Sequence, residues 1–289
     1  MYYTEPYEGS KVQLKFETIY CNPYIRNIPS ESTAVCPETE IDVMNKLQNQ
    51  FSVIYIWWLS VDNYYGSGKI QTGMLRSIYR RYKHNKNLKL FGKSRHLVQS
   101  QYASDYLRNE LKISESIERL SDYLNLDYIE NVNVDLQKKE NCILYNPKKG
   151  IEFTTKLMAA IPEYRWIALE GFSNIEMKKT MAKSKLYIDF GNHPGKDRIP
   201  REAAINYCCV ITGMRGAAAN DIDIPIKKMY KFYDNEDNIP LIHEMVRHCM
   251  DDYYSLIDDF KAYREKILLE PKLFVEDLCK IFGSKDLLE

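Results

Sequence analysis

Residues 185–204 read KLYIDFGNHPGKDRIPREAA, and this stretch decides the fold. Its first six residues are mostly apolar and aromatic or β-branched, as in a strand buried inside a parallel sheet. The following loop, together with the first turn of a helix expected over 200–206, gathers two glycines, two prolines, a histidine, three cations and two acids. Pro200 suits the first helical turn, where a missing N–H costs nothing. Strand, polar loop and helix make one βα unit. In open α/β sheets ligands bind beyond the carboxyl ends of the strands, so the residues after each strand are the candidates for chemistry.

Working outward, 142–145 (CILY) reads as a strand, 151–160 as a helix, 165–169 as a strand, 174–182 as a helix and 208–212 (CCVIT) as a strand. Upstream, 51–59 (FSVIYIWWL) is a near-continuous apolar run suited to a buried central strand. Short strands are expected at 12–20, 32–36 and 96–100, an amphipathic helix at 69–84 and a helix at 101–111. The last fifty or so residues are helical. Such alternation implies βαβ units and parallel sheets covered by helices. The polar stretch 126–140 has no clear period and is taken as a domain junction. The expected architecture is α/β, with two Rossmann-like doubly wound domains facing a cleft. Residues 1–130 are expected as the first domain and 131–255 as the second. Helices at 256–289 pack back towards the first.

Composition narrows the classes. Forty Lys and Arg balance forty Asp and Glu over 289 residues, 28% are charged and 45% hydrophobic. That is a globular composition, and it excludes disordered, collagenous and coiled-coil chains. Zero net charge argues against nucleic acid as a partner. Twenty-three tyrosines supply apolar bulk with polar tips, compatible with wet clefts and an oligomer surface. The seven cysteines form no CxxC, so reduced thiols are expected and zinc is not. With no signal-peptide pattern and no apolar run near the ~18 residues that cross a bilayer, a cytoplasmic location is expected.

Four loops hold the candidate site residues. Lys148 and Lys149 of NPKKG precede a helix N-terminus, a sensible diphosphate site, although a solvated basic turn looks the same. Lys196 and Arg198 could bind phosphate. Glu202, in a first helical turn, could accept from ribose hydroxyls or merely compensate the helix dipole. His193 is a candidate catalytic group or a loop histidine bonded to backbone. Thr212, Gly213 and Gly216 form a TGxxG turn that lets backbone approach a ligand closely. Asp62 and Asn63 follow the buried strand and could face an acceptor, or simply build a turn. The pair Trp57-Trp58 reads as core rather than a sugar platform.

The order NPKKG, WIAL, KLYIDF, HPGKDRIPREAA, CCVITGMRG resembles the donor domain of GT-B glycosyltransferases, most closely the retaining family 4 group found in bacterial surface-polysaccharide synthesis. WWLSVDNY at 57–64, SQYA at 100–103 and LSDYL at 120–124 resemble the same branch. The resemblance implies transfer of a sugar from a nucleotide-diphosphate donor to a glycan or lipid-linked glycan, with 1–130 an abbreviated N-terminal acceptor-side domain and 131–255 a nucleotide-sugar-binding domain. It needs no cofactor beyond the donor and no metal, since cations stabilise the leaving phosphate. It places the diphosphate at Lys148 or Lys149, the ribose at Glu202 (the second Glu of E-x7-E) and the Gly-containing loop at Thr212, Gly213 and Gly216. The first Glu of that motif falls at Pro194, leaving His193 or Asp197 to replace it and Asp62 to act from the acceptor side. That departure keeps two alternatives open: a catalytically silent GT-B partner or binding subunit, and a sugar-nucleotide epimerase of the same fold.

One more segment stands out. No acidic residue lies between Asp62 and Asp105, whereas Lys69, Arg76, Arg80, Arg81, Lys83, Lys86, Lys89, Lys93 and Arg95 do, interleaved with Tyr79, Tyr82, Leu88, Leu90 and Phe91. A basic segment of this kind suits the anionic inner face of a membrane, at about 1 kcal/mol per cation near the surface. An exposed helix face or a polyanion site would look alike.

Overall fold

The computed structural model describes residues 29, 31–65, 74–114, 116–130 and 132–283. The strand expected at 12–20, Lys69 and the side chain of Arg76 lie outside the described residues. The chain divides into two compact units, one made of 1–57 with 68–96 and the other of 58–67 with 97–289. This division assigns residues 58–67 and 97–130 differently from the boundary read at 130.

In the first unit, β1 (Thr33–Pro37) pairs in parallel with β2 (Val53–Trp58), in register from Thr33↔Val53 to Pro37↔Trp57. Helix α1 (Ile41–Leu47) connects them. The expected helix at 69–84 is α2 (Met74–Lys93), which runs further than its apolar spacing suggested. It is anchored late in its length: Asn87, Leu90 and Phe91 are buried, and Asn45 Nδ2 donates to Asn87 Oδ1 at 2.7 Å. These strands belong to a four-stranded sheet of order β1-β2-β3-β4, with β3 at Arg95–Val98 and β4 at Ile117–Arg119. Helix α3 (Gln101–Asn109) lies between the last two in sequence.

The second sheet lies wholly in the second unit. After the short helix α4 (Leu126–Ile129) come β5 (Glu140–Tyr145), α5 (Ile151–Ala160), β6 (Arg165–Ala168), α6 (Asn174–Lys183), β7 (Ser184–Asp189), α7 (Arg198–Ile205) and β8 (Cys209–Thr212). The strand order is β6-β5-β7-β8, all parallel. Leu186, Tyr187, Ile188 and Val210 are fully buried, which explains why these strands read as apolar runs rather than alternating ones. Ser173 and Glu176 form a reciprocal capping box that starts α6. The chain ends in α8 (Ile239–Asp251), α9 (Tyr253–Leu256) and α10 (Lys261–Phe282). No described helix is long and apolar enough to cross a membrane. The described cysteines are free thiols.

The stretch read as a polar junction holds a structural pin. Lys139 is buried, and its Nζ donates to the carbonyls of Met181, Ser184 and Asn206 at 3.0, 2.8 and 2.7 Å. Burial lowers its pKa, and three acceptors satisfy all its donors. It ties the entry of β5 to the ends of α6 and α7.

Candidate functional site

The strand order reverses direction at β5. From there the chain goes to β6 on one side and later to β7 on the other, so the switch point lies between β5 and β7. Ligands of doubly wound sheets bind beyond the strand ends at that point. The two loops that leave it are 146–150 (NPKKG) and 190–197 (FGNHPGKD).

Glycines bring these loops together. Gly150 has φ +62° and serves as the N-cap of α5, and a Cβ there would lie 2.5 Å from the Phe190 carbonyl carbon. A Cβ at Gly191 would overlap Cβ of Lys149. Lys149 therefore crosses the bare backbone at 191 and reaches Asp197, with Nζ 2.6 Å from Oδ2. Gly216, at φ +59°, abuts the His193 carbonyl, and Ala217 N donates to that carbonyl at 2.9 Å. The TGxxG turn thus supports the His193 loop from the β8 side, and Gly213 N donates to the Asp189 carbonyl at 2.8 Å. Thr212 is fully buried.

His193 is fully buried between two carboxylates. Nε2 stands 3.6 Å from Asp189 Oδ1 and Nδ1 3.2 Å from Asp197 Oδ2. Burial alone would raise the Asp189 carboxyl. His193, the Tyr187 hydroxyl at 2.6 Å and the Gly191 amide at 2.8 Å outweigh it and hold the carboxyl below its usual range. Asp189, His193 and Asp197 are, among the described residues, the one group with metal-ligand chemistry. Their oxygens take bonds from Tyr187, Gly191 and Lys149, whereas neither ring nitrogen of His193 makes a hydrogen bond.

On the other flank, Gly195 bridges Ser60, and a Cβ at 195 would overlap the Leu59 carbonyl oxygen. Asp62 is brought to this loop. Its Oδ1 accepts from the Tyr102 hydroxyl at 2.9 Å and its Oδ2 from Asn192 Nδ2 at 2.7 Å. Asn63 is exposed and donates its backbone N–H to Ser60. All these residues belong to the second compact unit.

Glu202 is the fifth residue of α7, just past the first turn where it was expected because the helix starts at Arg198 rather than Pro200, and it is fully buried. Burial raises its carboxyl to about 7, against the pull of Arg198 and Arg201. Arg198 Nε lies 3.0 Å from Oε1 as an ion pair, yet neither carboxylate oxygen accepts a hydrogen bond. Tyr128 is close enough that Glu202, after burial, helps push its hydroxyl up to about 12.

Lys148 is exposed beside the N-terminus of α5. Lys196 departs from the expected phosphate role because its ammonium is turned inward. Nζ donates to Ser121 Oγ at 2.8 Å and pairs with Glu270 Oε1 at 2.8 Å. Arg201 completes a buried network, with Nη1 2.8 Å from Glu270 Oε2 and Nη2 2.8 Å from Asp122 Oδ2. Burial lowers the Lys196 pKa. For Arg201 burial acts the same way, but Asp122 and Glu270 outweigh it and raise the value. Sequence reasoning passed over Asp189, Asn192, Asp122 and Glu270, and the groups that the last three meet lie far away in the chain. Only Asp189, a charge inside an apolar strand, carried a local signal.

No sequence-family profile and no curated protein sequence matches the chain. Solved structures do. S. aureus TarM in complex with fondaparinux, alpha-GlcNAc-glycerol and UDP superposes with a TM-score of 0.61 at 14% identity, covering 89% of this chain and 57% of that one. Sucrose-phosphate synthase from Thermosynechococcus elongatus gives 0.57 at 14% identity, over 93% and 77%. Anabaena HepE in complex with UDP gives 0.57 at 9% identity, over 84% and 82%. This chain spans little more than half the length of TarM. The likeness is one of fold: two Rossmann-like parallel α/β sheets of the GT-B class.

Proposed function

We propose that the protein is a glycosyltransferase that moves a sugar from a nucleotide-diphosphate donor to a glycan or lipid-linked glycan in bacterial surface-polysaccharide synthesis. The observation that carries this reading is Glu202. It is a fully buried carboxylate that pairs with Arg198 but accepts no hydrogen bond, on the helix that follows the switch-point loop. A buried acceptor left unmet costs about 1–3 kcal/mol, and a ribose diol supplies the two donors that would meet it. The other parts suit the same ligand. Lys148, Lys149 and the N-terminus of α5, whose N-cap Gly150 offers no side-chain cap, present positive charge where a diphosphate would lie. The transition state gathers negative charge on the leaving phosphate, and these prepositioned groups stabilise it in the place a metal would otherwise take. Asp62, held by Tyr102 and Asn192 beside His193, faces the acceptor side. TarM and HepE, similar in fold, were both solved with UDP.

A second reading rests on Pro194, which stands where the resemblance places the first acidic residue of E-x7-E. It makes the chain a GT-B subunit that binds the nucleotide sugar without transferring it. Thermal shift against UDP-, GDP-, ADP- and CDP-sugars tests both. Stabilisation with nucleotide release only when acceptor is added supports transfer, and stabilisation without release supports the silent subunit. Release without acceptor points to epimerase-like chemistry. Glu202→Ala is expected to weaken nucleotide binding at least about tenfold, the worth of one or two buried hydrogen bonds; unchanged affinity would refute its role.

A further inference from the structure

Asp197 occupies the N-cap position of α7 and does not cap it. Aspartate at that position ordinarily accepts a hydrogen bond from a backbone N–H two or three residues on. The backbone of Asp197 is extended, φ −60° and ψ 140°, as a cap requires, yet its side chain takes no such bond. The carboxylate is diverted. Its Oδ2 lies 2.6 Å from Lys149 Nζ and 3.2 Å from His193 Nδ1. Lys149 reaches it only because Gly191 leaves the path clear.

We propose that Asp197 is a positioning residue, a built-in counter-anion that holds Lys149 and competes with the donor diphosphate for it. The inference rests on the diphosphate reading of the switch-point loops. A diphosphate that reaches Lys149 meets a fixed negative charge already paired with it. Binding then exchanges one ion pair for another, and the released carboxylate has an open helix N-terminus one residue away to accept it. Pro200 offers no N–H three residues on, so the Ile199 N–H is the donor that gains a side-chain acceptor in the exchange.

The consequence is a sign that a purely structural role would not give. Removing the charge of Asp197 should tighten nucleotide binding, whereas loosening the loop should weaken it. Asp197→Ser keeps a competent helix cap and removes the charge, and Asp197→Asn keeps the shape should the serine variant fold poorly. Calorimetric titration with UDP, GDP, ADP and CDP should show the best-bound diphosphate held about five- to tenfold tighter by the variant, the size of one partly exposed charge pair. The gain should vanish in Lys149→Met/Asp197→Ser. Equal or weaker binding by the single variants, or a gain that survives loss of Lys149, would overturn the proposal while leaving the transferase reading intact. Binding by the variant alone, with none by the wild type, would support it. No binding by either would overturn both.

Discussion

Two basic regions of this chain look alike in sequence and behave oppositely in structure. In the switch-point region, Lys149, Lys196 and Arg201 each end on a carboxylate at 2.6–2.8 Å, and Lys196, Arg201 and Glu270 are buried. On α2, Arg81, Lys86, Lys89 and Lys93 are exposed. Lys86 does reach Asp42 at 2.9 Å, but through solvent-exposed side chains. A cluster of cations in a sequence therefore has two meanings. Where tertiary structure buries it, each charge is committed to a particular partner and the geometry is rigid. Where it stays in water, the charges act together as a field.

The largest difference should appear when a carboxylate is removed from the buried network. Glu270 holds both Lys196 and Arg201, and no water replaces it at 2% exposure. Breaking a buried pair from one side leaves an uncompensated charge and costs about 3–5 kcal/mol. Glu270→Ala is expected to lose that much in denaturant unfolding, with Lys196→Met/Glu270→Met recovering part of it. A loss below about 1 kcal/mol would mean the network is hydrated and the comparison is wrong.

Glu202 comes next and should move the other way. Its carboxyl ionises near 4.5 ordinarily and near 7 when buried here. Between those values the folded protein binds a proton that the unfolded chain does not. The contribution to stability is thus full below about 4.5 and is lost as pH rises through about 7. At pH 8 the buried charge costs on the order of 3 kcal/mol. Glu202→Gln should therefore raise stability at pH 8 by an amount of that order and leave it unchanged at pH 4, while weakening nucleotide binding. In the wild type, nucleotide affinity should fall as pH drops below about 7, because the neutral carboxyl accepts less well from a diol. Equal melting temperatures for variant and wild type at pH 8 would remove the buried-charge account.

The second sheet was legible because burial on both faces writes itself as apolar runs: KLYIDF, CILY and CCVIT all became strands at nearly the expected places. The loops after them were legible as candidates because position alone selects them. What each side chain does there was not. Lys196 and Lys149 sit in similar local sequence, and only the approach of Glu270 and Ser121 turns the first inward. Asp62 was readable as a residue after a buried strand, but its bond to Asn192 spans 130 positions. Lys139 was hidden in a stretch read as a junction, since a lysine among polar residues gives no sign that three carbonyls await it.

The smallest effect on stability, and the sharpest test of the exposed half of the comparison, lies on α2. Leu75, Ile78, Tyr79 and Tyr82 follow the i, i+3, i+4, i+7 spacing of one helical face, and Leu75, Ile78 and Tyr82 are 72%, 56% and 65% exposed. Further along the same helix Leu90 is 0% exposed, so the apolar residues of α2 serve two different surfaces. An exposed apolar stripe among exposed cations is the pattern of a helix that lies on an anionic lipid surface, where the stripe would insert while the cations would remain at the headgroups. Leu75→Ser/Ile78→Ser/Tyr82→Ser should change stability by no more than about 0.5 kcal/mol per site, as surface substitutions do, and should abolish co-sedimentation with phosphatidylglycerol vesicles. Arg81→Glu/Lys89→Glu should weaken sedimentation at low salt and matter less as salt rises, because screening already weakens the attraction. If the wild type does not sediment with anionic vesicles at low salt, α2 is a solvated face whose charge excess serves solubility alone, and only the cations of the switch-point loops carry binding.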